Sequence, residues 1–214
     1  MLNDLFNFIL VTSNKYNIDE SHDISHSMNV LHYAHNIYES QIYTNPGLKP
    51  HKNIIYLSAA LHDMCDKKYM DESEGIAAIN DHLKLITTPE ENDIITKIIR
   101  TMSYSKVKKD GFPDLGIYQS AYHVVREADL LTAYDFDRAL IYDMKANGKP
   151  FIDAYEHAEN LFHTRVFKHA EDKLFTTDYA LSHYPELHYS AIHRINTWKN
   201  MVVKPIRQQQ TNKT

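Results

Sequence analysis

Residues 53–63, NIIYLSAALHD, are apolar on every side and then end in an imidazole next to a carboxylate. At 100° per residue the apolar side chains cover the whole circumference of a helix, and Ser58 is the one polar residue before the end. This pattern predicts a helix buried in a protein core. His62 and Asp63 at its exit must be paired or bound to a cation, because unpaired polar groups beside a core are costly. An isolated His-Asp pair most often only closes a helix, so its role depends on the rest of the chain.

The composition favours a soluble helical protein. The 214 residues are 43% hydrophobic and 24% charged, and five glycines and seven prolines are few for a turn-rich β protein. This length suits one substantial core, so we expect a single domain over residues 1–204 and a polar, disordered tail over 205–214. The net charge of −5 argues against a partner that is a nucleic-acid polymer or an anionic membrane.

Two features favour a cytoplasmic protein. Cys65 is the single cysteine, which excludes an internal disulfide framework and fits a reducing compartment. The start, MLNDLFNFIL, lacks the basic region of a signal peptide and predicts a first helix, and no apolar run reaches the roughly 20 residues that span a bilayer. The oligomeric state stays open, with a homodimer as one alternative.

Hydrophobic periodicity predicts helices throughout the chain and no strand of useful length. Thr88, Pro89 and Glu91 form a sequence signature for a capped helix start. Residues 103–114, with three lysines, a glycine and a proline, predict an exposed basic loop. The predicted helices cover about 2–16, 22–40, 53–63, 72–85, 88–102 and 115–131, a short segment after 132, a long segment over 151–175, and a last helix over 176–203 that is interrupted near Pro185.

The predicted helix 22–40 contains four histidines with different expected environments. His26 lines up with an apolar flank formed by Val30, Ala34 and Ile37, and can face the interior. His32 falls on a polar stripe and is expected to be solvated, whereas His35 is expected to be packed. His22 and Asp23 lie at the helix entrance, where capping is the expected role.

A second carboxylate interrupts a buried pattern on the helix predicted over 115–131. Asp129 falls at the centre of a stripe that includes Tyr122 and Val125, away from the polar side that carries His123 and Arg126. A carboxylate at such a position requires a cation or a hydrogen-bonding partner.

Three separate helices therefore offer polar groups on their buried sides: His26, the pair His62 and Asp63, and Asp129. Two imidazoles and two carboxylates form a ligand set that suits one divalent Mn, Fe, Ni, Zn or Mg ion and leaves positions for water and substrate. Such an ion lowers the pKa of a bound water and neutralises a phosphoryl oxygen. The set therefore predicts hydrolysis of a phosphate ester or anhydride.

At these residues the chain resembles the HD superfamily of metal-dependent phosphohydrolases, whose ligands follow the order His…His-Asp…Asp. The matching segments are SHDISH around His26, AALHDMCDKK around His62 and Asp63, and READLLTAYD around Asp129. The resemblance covers roughly residues 20–180 and extends to the compact bacterial HD proteins that act as nucleotide pyrophosphohydrolases. It implies an all-α HD-domain bundle, with its core at about 20–135 and a C-terminal helical extension.

The resemblance also implies roles for individual residues. His26, His62, Asp63 and Asp129 would bind the metal, and a metal-activated water would attack a nucleotide substrate, with pyrophosphate release slightly ahead of monophosphate removal. Beyond the two residues that follow the His-Asp pair, it makes Asp66 a candidate base and Lys67 a candidate phosphate contact.

The chain departs from the family pattern next to two ligands. Asn29 stands where an arginine is frequent after the first histidine, and Leu130 stands where an arginine often follows the last aspartate. All four ligands are intact, but the family's substrate contacts are altered. The alternative is therefore an HD-fold protein that binds nucleotides or acts as a scaffold without turnover, and a purely structural role of the His-Asp pair is a third reading.

Overall fold

The computed structural model describes residues 2–205. This part of the chain contains ten α-helices, three short 3₁₀ turns, one π turn and no β-strand, which confirms the predicted all-α class. The α-helices are α1 (Leu2–Tyr16), α2 (Ile24–Gln41), α3 (Lys52–Leu61), α4 (Glu72–Leu83), α5 (Pro89–Thr101), α6 (Tyr104–Asp110), α7 (Gln119–Thr132), α8 (Phe136–Ala146), α9 (Phe151–Thr164) and α10 (Asp178–Trp198).

The centre of the fold is the group of helices α2, α3 and α7, which pack against one another in pairs. Helix α5 covers another side of α3, and α10 packs on both α2 and α7. After the exposed Lys52 and Asn53, every residue of α3 from Ile54 to Leu61 is buried except the half-buried Tyr56. The prediction of a buried helix that ends at the His-Asp pair is confirmed, and the division of the chain into one domain stays a prediction.

Side-chain caps fix where several helices begin. Asp23 caps α2, as predicted for the helix entrance, by accepting a hydrogen bond from the N–H of Ser25. Thr88 and Glu91 form the predicted capping box, with Pro89 in the first turn of α5. Both caps satisfy N–H groups that have no partner inside the helix.

The buried face of α2 differs in part from the prediction. The flank of His26, Val30, Ala34 and Ile37 is buried, as predicted for His26. His35, which we expected to be packed, is exposed and makes a hydrogen bond with the hydroxyl of Tyr56 at its surface. Helix α7 and helix α3 both cover the His26 flank, so the packed stripe is rotated away from His35.

The predicted basic loop 103–114 is wrong in part, because its first half is helix α6. Val107 is buried in the core and holds this helix against the body of the protein. Gly111 ends it with a φ of +77°, a backbone conformation that glycine adopts without strain. Two of the lysines are paired rather than merely solvated: Lys106 with Glu72 at 3.0 Å and Lys108 with Asp172 at 2.8 Å.

The predicted long helix over 151–175 is also wrong. Helix α9 ends at Thr164 because Arg165 leaves the helical conformation, and a 3₁₀ turn and an irregular segment follow. The expected interruption at Pro185 does not occur, and α10 runs through it as one helix. Pro185 is exposed, so water can satisfy the carbonyl of Leu181 that the missing N–H leaves free.

A buried ion pair lies on the side of α7 that we predicted to be polar. Arg126 and Glu127 are 1% and 0% exposed, and their side chains are 2.9 Å apart. The carboxylate of Glu127 also accepts hydrogen bonds from the backbone and hydroxyl groups of Thr176 and Thr177, between 2.6 and 3.0 Å. Since Thr177 caps α10, Glu127 ties the start of that helix to α7.

No helix over residues 2–205 is both long enough and apolar enough to cross a membrane. The predicted tail over 205–214 lies outside the described residues, except for Pro205.

Candidate metal centre

The first turn of α2 holds His26. Its side chain is 2% exposed and points into the interior between α3 and α7. Because Asp23 caps the helix two residues before Ser25, the backbone that carries this imidazole is well fixed.

The end of α3 carries His62 and Asp63, which follow the last helical residue directly. The Nδ1 atom of His62 lies 2.8 Å from the carbonyl oxygen of Ala59. A hydrogen bond from Nδ1–H to this carbonyl sets the tautomer of the ring and leaves the Nε2 lone pair free. The helix end therefore presents an imidazole nitrogen and a carboxylate in the same direction.

The fourth group is Asp129 on α7. The sequence stripe had predicted a buried position, but the side chain of Asp129 is 27% exposed and lies at the margin of the core. Solvent therefore reaches the group of four residues from the side of Asp129.

These residues meet at one point, and we call His26, His62, Asp63 and Asp129 the His-Asp cluster. The Nε2 atoms of the two histidines are 3.2 Å apart, and Oδ2 of Asp63 is 3.2 Å from each of them. Oδ1 of Asp129 lies 3.5 Å from Nε2 of His26 and 3.6 Å from Nε2 of His62. Ligand atoms that are each about 2.1 Å from one ion are themselves about 3.0–3.5 Å apart.

The donor set fits a metal cation. Oδ2 of Asp63 is buried and has no hydrogen-bond partner among the described residues, because its contacts with the imidazoles are not aligned as hydrogen bonds. A buried carboxylate oxygen without a partner is costly, and a cation at the meeting point would satisfy it. His26, His62 and Asp129 are therefore placed to hold a metal ion, and Asp63 offers a fourth ligand atom at the same distance.

The electrostatics of the cluster favour positive charge at its centre. Burial acts to lower the pKa of His62, but the charges of Asp63 and Asp129 outweigh it and hold this pKa well above its ordinary value. Burial acts to raise the pKa of Asp63 and Asp129, yet the two imidazoles keep both carboxyl pKa values well below their ordinary range. The site thus keeps two carboxylates ionised around a position that attracts a cation.

Asp66 and Lys67, the predicted base and phosphate contact, are not brought to the cluster by any hydrogen bond or ion pair in residues 2–205. Asp66 instead accepts a hydrogen bond from the N–H of Lys68 at 2.9 Å and stabilises its own turn. Lys67 is exposed. Their predicted roles therefore rest on sequence alone.

His22 and Lys68 flank the cluster in their place. The ring of His22 lies 6.1 Å from the ring of His26, and Nζ of Lys68 is 3.1 Å from Nε2 of His22. Burial lowers the pKa of His22 to about 4, against the charge of Asp63, and the charge of Lys68 adds to this effect. The sequence reading of His22 and Asp23 as a structural pair is right for Asp23 as the cap, whereas His22 belongs to the surroundings of the cluster.

Arg138 on α8 is a further group that sequence reasoning missed. Its Nη1 atom lies 3.0 Å from Nε2 of His26. It also lines a cavity of about 410 Å³ beside His26. No spacing in the sequence connects Arg138 with the ligands, because it follows Asp129 on a different helix; the one available signal is its proximity in the chain to the last ligand.

No protein-family model matches this sequence, and no curated protein and no solved structure matches the chain.

Proposed function

We propose that this chain is a metal-dependent phosphohydrolase of the HD type, which hydrolyses a phosphoanhydride or phosphoester bond in a nucleotide. The observation that supports the proposal is the convergence of the His-Asp cluster from three helices, with four ligand atoms that are separated by metal-site distances. The ordered His…His-Asp…Asp pattern of the sequence is consistent with it.

His26, His62, Asp63 and Asp129 would hold one divalent ion, and Mn, Fe, Ni, Zn and Mg all suit a set of two imidazoles and two carboxylates. When bound, such an ion supplies an activated water and neutralises a phosphoryl oxygen. The protein's own part is to orient the ligands: the carbonyl of Ala59 fixes the ring of His62, and the Asp23 cap fixes the helix of His26.

Two cationic side chains beside the cluster support a phosphorylated substrate. Lys68 lies on the side of His22, and Arg138 lies against His26. Cationic side chains stabilise the negative charge on phosphate oxygens through charge-assisted hydrogen bonds. Asp66 as a base and Lys67 as a phosphate contact remain proposals from the sequence, and we give Lys68 and Arg138 precedence as phosphate contacts because they border the cluster.

The test is a screen of the purified full-length protein with nucleoside mono-, di- and triphosphates in the presence of Mn, Fe, Ni, Zn or Mg. Metal analysis of the protein as purified accompanies the screen. We expect bound metal close to one ion per chain and metal-dependent release of phosphate or pyrophosphate. Protein that neither binds metal nor turns over any of these nucleotides would overturn the proposal.

A second candidate function is nucleotide binding without turnover, on the same fold. The observation that favours it is the absence, in residues 2–205, of a polar contact from Asp66 or Lys67 to the cluster, together with the departure at Leu130. The same screen separates the two candidates, since tight nucleotide binding without product under every metal would favour the binder.

A further inference from the structure

We propose that the cavity beside His26 is the substrate pocket of this site, and that Arg138 recognises the phosphate group of the substrate there. The ligand class is a phosphate ester or anhydride attached to a body with an apolar or aromatic surface, such as a nucleoside. This inference rests on the proposed function, because it names the substrate-binding groups of that same site.

The guanidinium of Arg138 has unusual partners. Within residues 2–205, its polar contacts are with the imidazole of His26 and include no carboxylate. Two other arginines differ in this respect: the exposed Arg194 is held by Asp137 and the buried Arg126 by Glu127. A guanidinium carries five N–H donors in a fork that matches phosphate oxygens, so Arg138 retains donors for an anion.

The location of Arg138 connects phosphate recognition with the cluster. Nη1 of Arg138 lies 3.0 Å from Nε2 of His26. The same Nε2 atom of His26 faces His62 and Asp63. An anion that accepts hydrogen bonds from Arg138 therefore lies at the edge of the cluster. When Nε2 of His26 binds a metal, its Nδ1 carries the proton, so neither ring nitrogen accepts a hydrogen bond from Arg138 and the guanidinium donors are free for the substrate.

The cavity provides space for the rest of the substrate. Its volume of about 410 Å³ falls in the ordinary range for small-molecule sites, which is roughly 300–1,000 Å³. Tyr33, Leu131, Phe136 and Leu187 give it apolar and aromatic walls, and Asn29 offers a polar group at the side of His26. Such a wall suits a planar base.

One carboxylate also lines the cavity, but it is engaged. Asp135 caps α8, and its Oδ1 atom accepts a hydrogen bond from the backbone N–H of Arg138 at 3.3 Å. Because the cap holds this carboxylate on the backbone, the guanidinium of Arg138 stays free of it. We therefore place the phosphate between Arg138 and the cluster, and the nucleoside body against Tyr33 and Leu187.

The test measures binding of inorganic phosphate, of the four common ribonucleoside 5′-monophosphates and of the matching nucleosides by ligand-observed NMR. It uses the full-length protein, as purified and after removal of metal. The variants are Arg138→Gln, Arg138→Lys and Ser190→Trp, which places a large ring at an exposed position on the cavity wall. Arg100→Gln on the exposed surface of α5 removes the same charge away from the cavity.

We expect Arg138→Gln to weaken binding of both phosphate and nucleotide by about tenfold or more, since a charge-assisted hydrogen bond is lost. Arg138→Lys should recover part of this affinity. Ser190→Trp should weaken nucleotide and nucleoside binding but leave phosphate binding unchanged, and Arg100→Gln should resemble the parent protein.

The inference is overturned if Arg138→Gln binds phosphate as the parent does, or if Ser190→Trp leaves nucleotide binding unchanged. Far-UV circular dichroism checks that the variants fold, and Ser190→Trp keeps the pocket testable if Arg138→Gln does not. The experiment distinguishes a failure of the proposed pocket from a failure of the proposed function. Turnover in Arg138→Gln with an unchanged KM contradicts the pocket but not the proposed function, whereas Arg138-dependent binding without metal or turnover contradicts the function but not the pocket.

Discussion

The Nε2 atoms of His26 and His62 lie 3.2 Å apart, although 36 residues separate the two histidines in sequence. Two imidazole nitrogens at this distance need a proton or a cation between them, because their lone pairs otherwise repel. Carboxylate oxygens of Asp63 and Asp129 lie within 3.6 Å of His62. The arrangement therefore concentrates ligand atoms around one position.

Replacing His62 by Ala should abolish metal-dependent turnover and lower metal affinity by about 100-fold or more, because a ligand atom at the centre of the cluster is lost. Metal content and nucleotide hydrolysis of the purified variant are the measurements. His32→Ala, at an exposed position on α2, is the matched control and should behave as the parent. Unchanged turnover in His62→Ala would contradict the proposed function.

A bound divalent ion should stabilise the folded protein. At a metal concentration of 100 times Kd the expected gain in unfolding free energy is about 2.7 kcal/mol. For a chain of this size, that gain corresponds to an increase in Tm of roughly 5–10 °C. Thermal unfolding with and without each metal measures it, and Asp129→Asn should lose most of the increase. An equal increase in both proteins would place the ion elsewhere.

Stability should fall in mild acid because of His169, which is 1% exposed. Burial, with a further contribution from Arg165, lowers the pKa of this residue from 6.5 to about 4. Between these two pH values the unfolded chain binds a proton that the folded chain does not. Unfolding free energy therefore decreases as the pH falls through this window, by about 1.4 kcal/mol per pH unit for this group.

The variant that tests this effect is His169→Phe, which keeps a ring between Tyr104 and Tyr134. Urea unfolding at pH 7 and pH 5 should show about 2 kcal/mol less pH dependence in the variant than in the parent. The same pH dependence in both proteins would show that His169 takes up its proton in the folded state as well.

Glu127→Gln should destabilise the fold by about 3–5 kcal/mol, because Arg126 would remain buried without its counter-charge. An amide also accepts fewer hydrogen bonds than the carboxylate, which binds Thr176 and Thr177. Urea unfolding measures the loss, with Glu186→Gln on the exposed surface of α10 as the control. A loss no greater than in the control would mean that water replaces the missing charge.

Gly75→Ala should destabilise the protein by about 1–3 kcal/mol, whereas the same change in an open helix is stabilising. An added Cβ would lie 2.6 Å from Cα of Cys65 and 2.8 Å from Sδ of Met70. Backbone cannot yield as a flexible side chain can, so α4 would move away from the turn that follows Asp63. Urea unfolding of Gly75→Ala and of the exposed Ser73→Ala provides the comparison, and a stabilised Gly75→Ala would contradict this close packing.

Much of the fold follows from local pattern. The apolar run of α3 predicts a buried helix because no solvated face is left to it, and Thr88 with Glu91 predicts a helix start because the capping chemistry is local. The failures have a different cause. Pro185 removes only one hydrogen bond from a helix that packs on its other face, and Val107 is buried although polar and charged residues flank it in sequence.

The residues of the site also divide into those that a local sequence pattern identifies and those that depend on the packing of helices. The side chains of His26, His62, Asp63 and Asp129 are identifiable because each is a polar group on an apolar face. Arg138 carries no such signal, since its relation to His26 depends on how α8 packs against α2. The buried position of Arg126 is equally invisible, because its counter-charge is the next residue in the chain and its guanidinium lies over the ring of Phe112, 4.7 Å from the ring centroid.

Part of the cavity wall that would choose the substrate stands on a helix that carries no ligand. His62, Asp63 and Asp129 come from α3 and α7, whereas Leu187 and Ser190 belong to α10. Exchanges along the outer helix can therefore alter which molecule is accepted while the reactive centre stays intact. Such a layout lets related proteins evolve different substrate specificities while they keep the same reaction.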